Sequence, residues 1–302
     1  MPIGISVHVG VNKAQDNFDV TDLSRCDSDA LAMSKIAAAR GFDVKPLLID
    51  DGATFVAVKK AILDAAAVLE AGDIFFVTFA GHGSFNPSAS VADQFQDEVL
   101  LLHDCLVPDN YLRRKLWSKF KKGVRILGVA DCCHSGTVLQ SAPVGLGGGI
   151  GALSGLGGAS GAAVNARLRP RPRTRWEQVT QKDLGKNRGI TGKERAKVRK
   201  GSPELHKMME QEMLSTVGDE LKAKLITLAA CRDQEFAREG PKNGAFTARL
   251  LEVWDNGNFK KNYDVFMEAI QKPFNFEGSR QHPVIQTGDA DNEFKNQIPF
   301  TI

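Results

Sequence analysis

DIFFVTFAGHG, residues 73–83, is the stretch of sequence that decides the fold. Its first seven residues are almost continuously apolar, which is typical of a strand buried on both faces inside a parallel sheet. RILGVADCCHSG, residues 125–136, repeats the pattern. Each run ends in reactive side chains, with His82 in the first and Cys133 in the second. Because ligands and catalytic groups gather beyond the carboxyl ends of parallel strands, we expect these two ends to face each other at one edge of the sheet.

Elsewhere in the chain, short apolar or β-branched runs alternate with segments of helical periodicity, the pattern of a parallel sheet covered on both faces. We therefore predict an α/β fold, a three-layer α/β/α sandwich with about six mainly parallel strands, in a single domain over residues 1–302. The further predicted strands are 5–11, 44–49, 99–102, 224–230 and 283–286, and the predicted helices are 29–40, 55–69, 109–120, 203–214, 245–254 and 263–271.

Residues 138–202 interrupt this alternation. They begin with a glycine-rich run, GLGGGIGALSGLGGASG at 145–161, and continue with a basic run. Residues 166–200 hold 13 Lys and Arg against three acids, an excess of ten positive charges, so the rest of this chain of net charge +3 carries −7. A stretch this long without predicted structure is typical of a functional loop or a disordered segment. We predict a flexible basic linker, and not a membrane span, because nine of the twenty residues 144–163 are glycine.

The overall composition, 42% hydrophobic and 25% charged, is that of a globular protein and argues against fibrous, wholly disordered and membrane classes. The first residues, MPIGISVHVGV, have no basic region ahead of the apolar run, so we interpret them as a strand and expect a cytoplasmic protein. Five cysteines without the spacing of secreted proteins indicate free thiols.

His82 and Cys133 together predict a nucleophilic thiol and its base. A thiol attacks an amide as the thiolate, which requires a base within reach and backbone donors for the developing oxyanion. His82 stands between two glycines, and Cys133 is followed by small residues that leave space above its sulfur. We expect the N–H groups of Gly83 and Cys133 to form the oxyanion hole.

Paired motifs around these residues resemble the histidine and cysteine boxes of metacaspases and their bacterial relatives. The chain is similar to that family at FAGHG (79–83), DCCHSG (131–136), RCDSDA (25–30), DEV (97–99), ACRDQ (230–234) and GAFT (244–247). His82 and Cys133 are also 51 residues apart, close to the interval of roughly 50 residues in caspases. The resemblance implies a caspase-like fold and a cysteine endopeptidase with a Cys133–His82 dyad.

The resemblance also implies cleavage of protein substrates after Arg or Lys, because carboxylates line the S1 pocket of metacaspases. The matching positions are Asp29 and Asp131, with Cys26 and Ala80 nearby. The net negative charge outside the linker independently favours a cationic substrate side chain. The chain departs from true caspases in having Asp-Cys-Cys where they have Gln-Ala-Cys, and Ala80 replaces a hydroxyl residue frequent in metacaspases.

Regulation is predicted from the linker and from the family. The linker offers 13 basic cleavage positions, so we expect a zymogen whose linker occupies S1 until it is cut, by the enzyme itself or by an upstream protease. Calcium activates many eukaryotic relatives, but only Asp97 and Asp109 match, with Asn110 and Gln140 at other positions, so we expect no required cofactor. The resemblance further implies a monomer, and the lack of a recruitment module suggests a bacterial origin.

Other roles for several of these residues also fit the sequence. Cys132 alternates with Cys133 and is predicted to lie in the core, while His134 is assigned a structural role. Cys132, Cys133, His134 and His82 are also candidate zinc ligands, although no paired metal-binding spacing is present. Asp29 also suits a helix start, where its charge favours the dipole. The basic linker would fit nucleic-acid binding, with only Trp176 beside it, and a caspase-fold scaffold without activity is the third candidate class.

Overall fold

A computed structural model describes residues 1–86, 97–133, 139, 185–215, 220–232, 235–276 and 279–302. Its main sheet has seven strands in the order β10-β9-β8-β4-β1-β2, with β3 also paired to β1, and a second sheet has the order β5-β6-β7. All pairs in the main sheet are parallel except β10 with β9. The strands are β1 Gly4–Gly10, β2 Asp43–Val44, β3 Leu48–Ile49, β4 Ile74–Ala80, β5 Gly83–Asn86, β6 Asp97–Leu101, β7 Leu106–Pro108, β8 Arg125–Asp131, β9 Lys224–Ala229 and β10 Val284–Gln286.

Helices cover both faces of this sheet and complete three layers, as predicted. On one face the core contains Phe55 and Ile62 with Trp117. On the other it contains Met33 with Phe246. The α-helices are α1 Cys26–Ala39, α2 Phe55–Val68, α3 Asp109–Tyr111, α4 Gly192–Gly201, α5 Pro203–Leu214, α6 Ala245–Trp254, α7 Tyr263–Gln271 and α8 Asn292–Lys295.

The register of the three central strands sets the position of the site. Gly10 of β1 pairs with Ala80 of β4, and Ala80 pairs with Asp131 of β8, so these strands end at one level. Every residue of these strands is buried, which explains their continuous apolar sequences. The residues that follow Ala80 and Asp131 therefore emerge side by side at the carboxyl edge.

Three segments differ from the predicted elements. The predicted strand 44–49 forms two short strands, β2 and β3, each paired with β1. Residues 109–120, predicted as one helix, form the single turn α3, a π-helix over Leu112–Leu116 and a 3-10 turn over Trp117–Lys119. The second sheet extends the predicted strand 99–102 into an antiparallel three-stranded unit directly after His82. This unit forms one wall of the site.

The predicted linker 138–202 is ordered at its end, which corrects our expectation of a structureless segment there. Thr191 and Glu194 form a reciprocal capping box at the start of α4, and Val198 of that helix is fully buried. Local capping and this single apolar anchor hold a segment whose composition is otherwise polar and basic. Most of the glycine-rich and arginine-rich part, 140–184, lies outside the described residues. Among the described helices, none combines the length and apolar character needed to cross a membrane.

Candidate functional site

His82 and Cys133 emerge from adjacent strands, β4 and β8. The imidazole Nε2 of His82 lies 2.7 Å from the Thr21 carbonyl oxygen. Because a carbonyl only accepts, Nε2 must carry the proton, which leaves Nδ1 as the acceptor nitrogen. Nδ1 is buried and has no hydrogen-bond partner within the described part of the chain. The ring is thus oriented by Thr21 with a free base position.

The Cys133 thiol lies beneath a segment from the end of the linker. Its Sγ donates to Asn187 Oδ1 at 2.9 Å and accepts from the Ala237 N–H at 3.2 Å. The same Asn187 oxygen accepts from the Gly189 N–H at 2.9 Å. A side chain of the linker therefore accepts the hydrogen bond of the Cys133 thiol directly.

Residues 185–190, GKNRGI, cross the site in extended form; we refer to them as the docked segment. Its first half pairs antiparallel with residues 237–239. The Gly185 N–H donates to the Glu239 carbonyl at 2.7 Å, the Glu239 N–H to the Lys186 carbonyl at 3.0 Å, and the Arg188 N–H to the Ala237 carbonyl at 3.0 Å. This is strand addition, the way in which many proteins hold extended peptides.

The second half of the docked segment pairs with Gly83. The Gly83 N–H donates to the Arg188 carbonyl oxygen at 2.9 Å, and the Gly83 carbonyl accepts from the Ile190 N–H at 3.3 Å. A Cβ on Gly83 would overlap the Cys133 carbonyl, so only glycine allows this approach. The Arg188–Gly189 peptide bond therefore lies between Cys133 and the Gly83 donor.

The Arg188 side chain fills a pocket lined by carboxylates, with no exposed surface. Nη2 lies 2.7 Å from Asp29 Oδ2, and Nη1 lies 3.0 Å from Asp131 Oδ1 and 2.8 Å from the Asp131 carbonyl oxygen. Glu239 Oε1 stands 4.0 Å from Nη2. Three buried acids thus surround one buried guanidinium.

Backbone and hydroxyl donors hold these carboxylates in place. Asp29 accepts from the Gly244 N–H at 2.9 Å, and Asp131 Oδ2 accepts from the N–H and Oγ1 of Thr247. Although Asp29 belongs to the first turn of α1, its carboxylate turns to the pocket. A Cβ on Gly244 would overlap Asp131 Oδ2 and stand 2.7 Å from Arg188 Nη1, so the pocket requires glycine there.

Burial dominates the electrostatics of the site. It raises the pKa of the Cys133 thiol well above its usual value and lowers the pKa of His82, so both groups are neutral at pH 7. Burial raises the pKa of Asp29 to about 7, against the opposing effect of Arg188. Burial would lower the pKa of Arg188, but Asp131, Cys26 and Asp29 together raise it well above its usual value. The guanidinium is therefore charged in the pocket.

The other predicted pocket residues lie beside this pocket. Cys26 is fully buried, and burial raises its pKa strongly while Arg188 opposes that shift, which indicates a position near the guanidinium. Ala80 packs with Cys26 and Leu23. The pocket is thus built from the start of α1, the ends of β4 and β8, and residues 239–247.

Three participants were missed by the sequence analysis. Thr21 and Asn187 contribute ordinary polar groups within loops, and no local pattern distinguishes them. Glu239, whose carboxylate is fixed by the N–H and Oγ of Ser24, lies between two motifs that were noted, ACRDQ and GAFT. The position of this acidic residue between two family motifs was the one sequence signal that could have indicated its role in the pocket.

The remaining assignments have mixed outcomes. Cys132 is fully buried among apolar residues of the opposite sheet face from Cys133, as predicted. His134 and Gln140 lie outside the described residues. Within the described ranges, no group of three or more His, Cys, Asp or Glu side chains is arranged to hold a metal ion. Asp109 begins α3.

Comparison with known proteins agrees with this architecture. The family model of the caspase domain matches residues 9–295. The chain belongs to the caspase-domain family. It is 29% identical, with a TM-score of 0.74, to the crystal structure of protein GSU0716 from Geobacter sulfurreducens, over 100% of this chain and 99% of that one.

The curated relatives of this caspase-domain chain are metacaspases. It is 30% identical over 148 residues to Metacaspase-9 of Arabidopsis thaliana, covering 45% of this chain and 44% of that protein. It is 28% identical over 133 residues to Metacaspase-2 of Trypanosoma brucei brucei, covering 39% and 38%. The chain thus matches less than half the length of these relatives.

Proposed function

We propose that this caspase-domain chain is a cysteine endopeptidase that cleaves after arginine, made as a precursor that cuts itself between Arg188 and Gly189. One observation carries the proposal. The Arg188 side chain fills the carboxylate pocket while its carbonyl accepts from the Gly83 N–H beside Cys133. A bound peptide substrate needs both contacts at once.

The reaction follows from these positions. Nδ1 of His82 takes the thiol proton, and the thiolate attacks the Arg188 carbonyl carbon. The Gly83 N–H stabilises the oxyanion, and His82 returns the proton to the nitrogen of Gly189 as the peptide bond breaks. Water then hydrolyses the thioester on Cys133 and frees the Arg188 carboxylate.

The pocket favours arginine over lysine. Asp29 and Asp131 form ion pairs with different nitrogens of the planar guanidinium, and the Asp131 carbonyl oxygen accepts a hydrogen bond from Nη1. A lysine ammonium is a single point charge on a different stem and cannot span both acids in this way. An aspartate side chain would be repelled by three carboxylates, which argues against caspase-type specificity.

Burial of the Arg188 side chain favours self-cleavage over cleavage by an upstream protease. Arg188 has no exposed surface, so another protease cannot place this arginine in its own pocket while the segment is docked. The Cys133 thiol also donates its hydrogen to Asn187, while Nδ1 of His82 accepts no hydrogen bond within the described residues. The uncut precursor is therefore both the first substrate and an inhibited form of the enzyme.

The test compares the wild-type chain with Cys133→Ala. We expect the wild type to convert into two fragments, the second beginning Gly-Ile-Thr, at a rate independent of protein concentration. Cys133→Ala stays whole. The converted enzyme releases aminocoumarin from peptides ending in Arg, more slowly from those ending in Lys, and not from those ending in Asp. Cleavage after Asp, or conversion of Cys133→Ala on its own, contradicts the proposal.

A further inference from the structure

Ile190, two positions beyond Arg188, packs into a cluster of buried apolar side chains that the cleavage reaction itself does not require; we refer to the space it fills as the apolar cavity. Ile190 is 7% exposed. The other members of the cluster come from the loop before α1, the second sheet and α4. They are Ala14, Phe18, Val99, Leu101, Leu106 and Val198.

Most of this cavity belongs to the enzyme body and not to the linker. Five of the six neighbours precede the linker in sequence, and only Val198 of α4 comes from its far end. The walls are nearly all fully buried, including Phe18 and Leu101. The apolar cavity therefore lies on the far side of the cleaved bond from the arginine pocket, and its walls come mainly from the enzyme body.

Backbone contacts position a bound peptide relative to this cavity, whatever the sequence of the peptide. The Ile190 N–H donates to the Gly83 carbonyl at 3.3 Å, and the Ile190 carbonyl accepts from Ser84 Oγ at 3.1 Å. Gly83 thus contacts the peptide on both sides of the Arg188–Gly189 bond. Any peptide whose carbonyl accepts from the Gly83 N–H therefore places its second residue after the cleaved bond in the cavity that Ile190 fills.

The position directly after the cut is narrow. A Cβ on Gly189 would lie 3.2 Å from Asn187 Oδ1, 3.3 Å from Cys133 Sγ and 3.4 Å from the Phe236 ring. These contacts are tight but adjustable for a methyl group, so we expect larger side chains to be disfavoured directly after the cut.

We propose that this cavity is a second specificity site, S2′, which selects protein substrates with a branched aliphatic residue two positions after the cleaved bond and glycine or alanine directly after it. The proposal rests on the proposed function. It extends recognition from the arginine pocket to a pattern of Arg, then a small residue, then Ile or Val.

Self-cleavage makes the cavity available to substrates. The cut frees the amino end of Gly189, so Ile190 is then held only by its burial and by the contacts with Gly83 and Ser84. Because Ile190 remains tethered to α4, it competes with an incoming chain at a high effective concentration. A substrate with a matching aliphatic residue is the one able to exchange with it.

The test uses the self-cleaved enzyme and quenched fluorescent peptides based on GKNRGITG, residues 185–192, with the lysine replaced by alanine to leave one basic residue. Changing the isoleucine to valine should alter kcat/KM by no more than about threefold. Changing the isoleucine to aspartate should lower kcat/KM at least tenfold. Changing the glycine directly after the cleaved bond to leucine should do the same. The aminocoumarin peptide ending in the same arginine supplies the reference rate.

Two variants of the chain separate recognition from packing. Ile190→Asp is expected to cleave itself more slowly than the wild type, because aspartate does not fit S2′; once cut, it lacks the tethered competitor and should show a raised kcat/KM for the isoleucine peptide, while Ile190→Val should not. Equal rates for the isoleucine and aspartate peptides, with the aminocoumarin peptide cleaved normally, overturn the S2′ proposal alone. Failure to cleave the aminocoumarin peptide overturns the proposed function and the S2′ proposal with it.

Discussion

Replacing Arg188 with glutamine should stop self-cleavage at its present position while opening the site to other substrates. The guanidinium is the cationic partner of two carboxylates, each buried to about the same extent as the arginine itself. Removing one partner of a buried ion pair costs about 3–5 kcal/mol. If that loss falls on the transition state, the rate of cleavage after residue 188 falls roughly 150- to 5,000-fold, at about 1.4 kcal/mol per factor of ten.

Replacing Arg188 with lysine should have a smaller effect, because the charge is kept. Lysine contacts one of the two acids and loses one charge-assisted hydrogen bond, worth about 1.5–3 kcal/mol. The expected slowing is roughly 10- to 150-fold, on the same conversion of free energy into rate. We therefore expect the rate of cleavage after residue 188 to decrease from arginine to lysine to glutamine, with clearly separated rates.

The assay follows loss of the full-length chain on gels, with sequencing of the new amino terminus, and in parallel the release of aminocoumarin from an arginine peptide by the uncut proteins. Arg175→Gln, in the basic run of the linker at residues 166–200, is the matched control and should cleave like the wild type. Uncut Arg188→Gln should hydrolyse the peptide faster than uncut wild type, since the docked segment has lost its anchor. Wild-type rates of cleavage after residue 188 in Arg188→Gln would refute the pocket assignment.

Single changes at Asn187, Gly244 and His8 should each have an effect that the surroundings of the residue determine. Asn187→Ala frees the thiol from a hydrogen bond worth about 0.5–1.5 kcal/mol, so self-cleavage should accelerate roughly 2- to 12-fold, whereas Asn187→Asp should slow it. Gly244→Ala should lower cleavage of arginine peptides about 100-fold or more, since its Cβ would occupy the place of a carboxylate and the guanidinium, while Gly52→Ala, in open space, should leave it unchanged. Burial lowers the pKa of His8 to about 3 in the folded chain from 6.5 in the unfolded chain, so its contribution to stability is complete above pH 6.5 and is lost as the pH falls toward 3. The free energy of unfolding should drop by about 2 kcal/mol more between pH 7 and pH 5 in the wild type than in His8→Gln, as measured by denaturant titration; parallel losses in both would contradict the assignment.

The sequence alone was sufficient for the central strands and for the residues that end them. β4 and β8 are buried on both faces, so their apolar runs are continuous and their ends are sharp. The parallel arrangement then brings His82 and Cys133 to one edge without further information. The helices with strong periodicity, such as 203–214 and 245–254, were predicted with the bounds that the structure has.

The sequence could not choose one arginine from the 13 basic residues of the linker. Local composition is similar around all of them, and the choice depends on where the chain pairs with residues 237–239 and with Gly83. Those contacts are made by backbone groups, which carry no residue signature. Residues 109–120 were predicted as a regular helix because periodicity does not distinguish an α-helix from a helix interrupted by a π-turn.

Under the proposed function, the same carboxylates account for inhibition, specificity and the need for the cut. An empty pocket would leave Asp29, Asp131 and Glu239 buried without a cation, which is unfavourable, and the pKa of about 7 for Asp29 already shows how strongly burial acts even with Arg188 present. The uncut chain relieves this cost with its own arginine and thereby blocks the site. After the cut, the arginine-bearing end keeps its pocket contacts and its short backbone pairing but is no longer joined to Gly189, so it can exchange with another arginine. An incoming arginine would restore the same charge balance, so in the proposed function one set of buried acids first holds the precursor closed and afterwards selects the substrate.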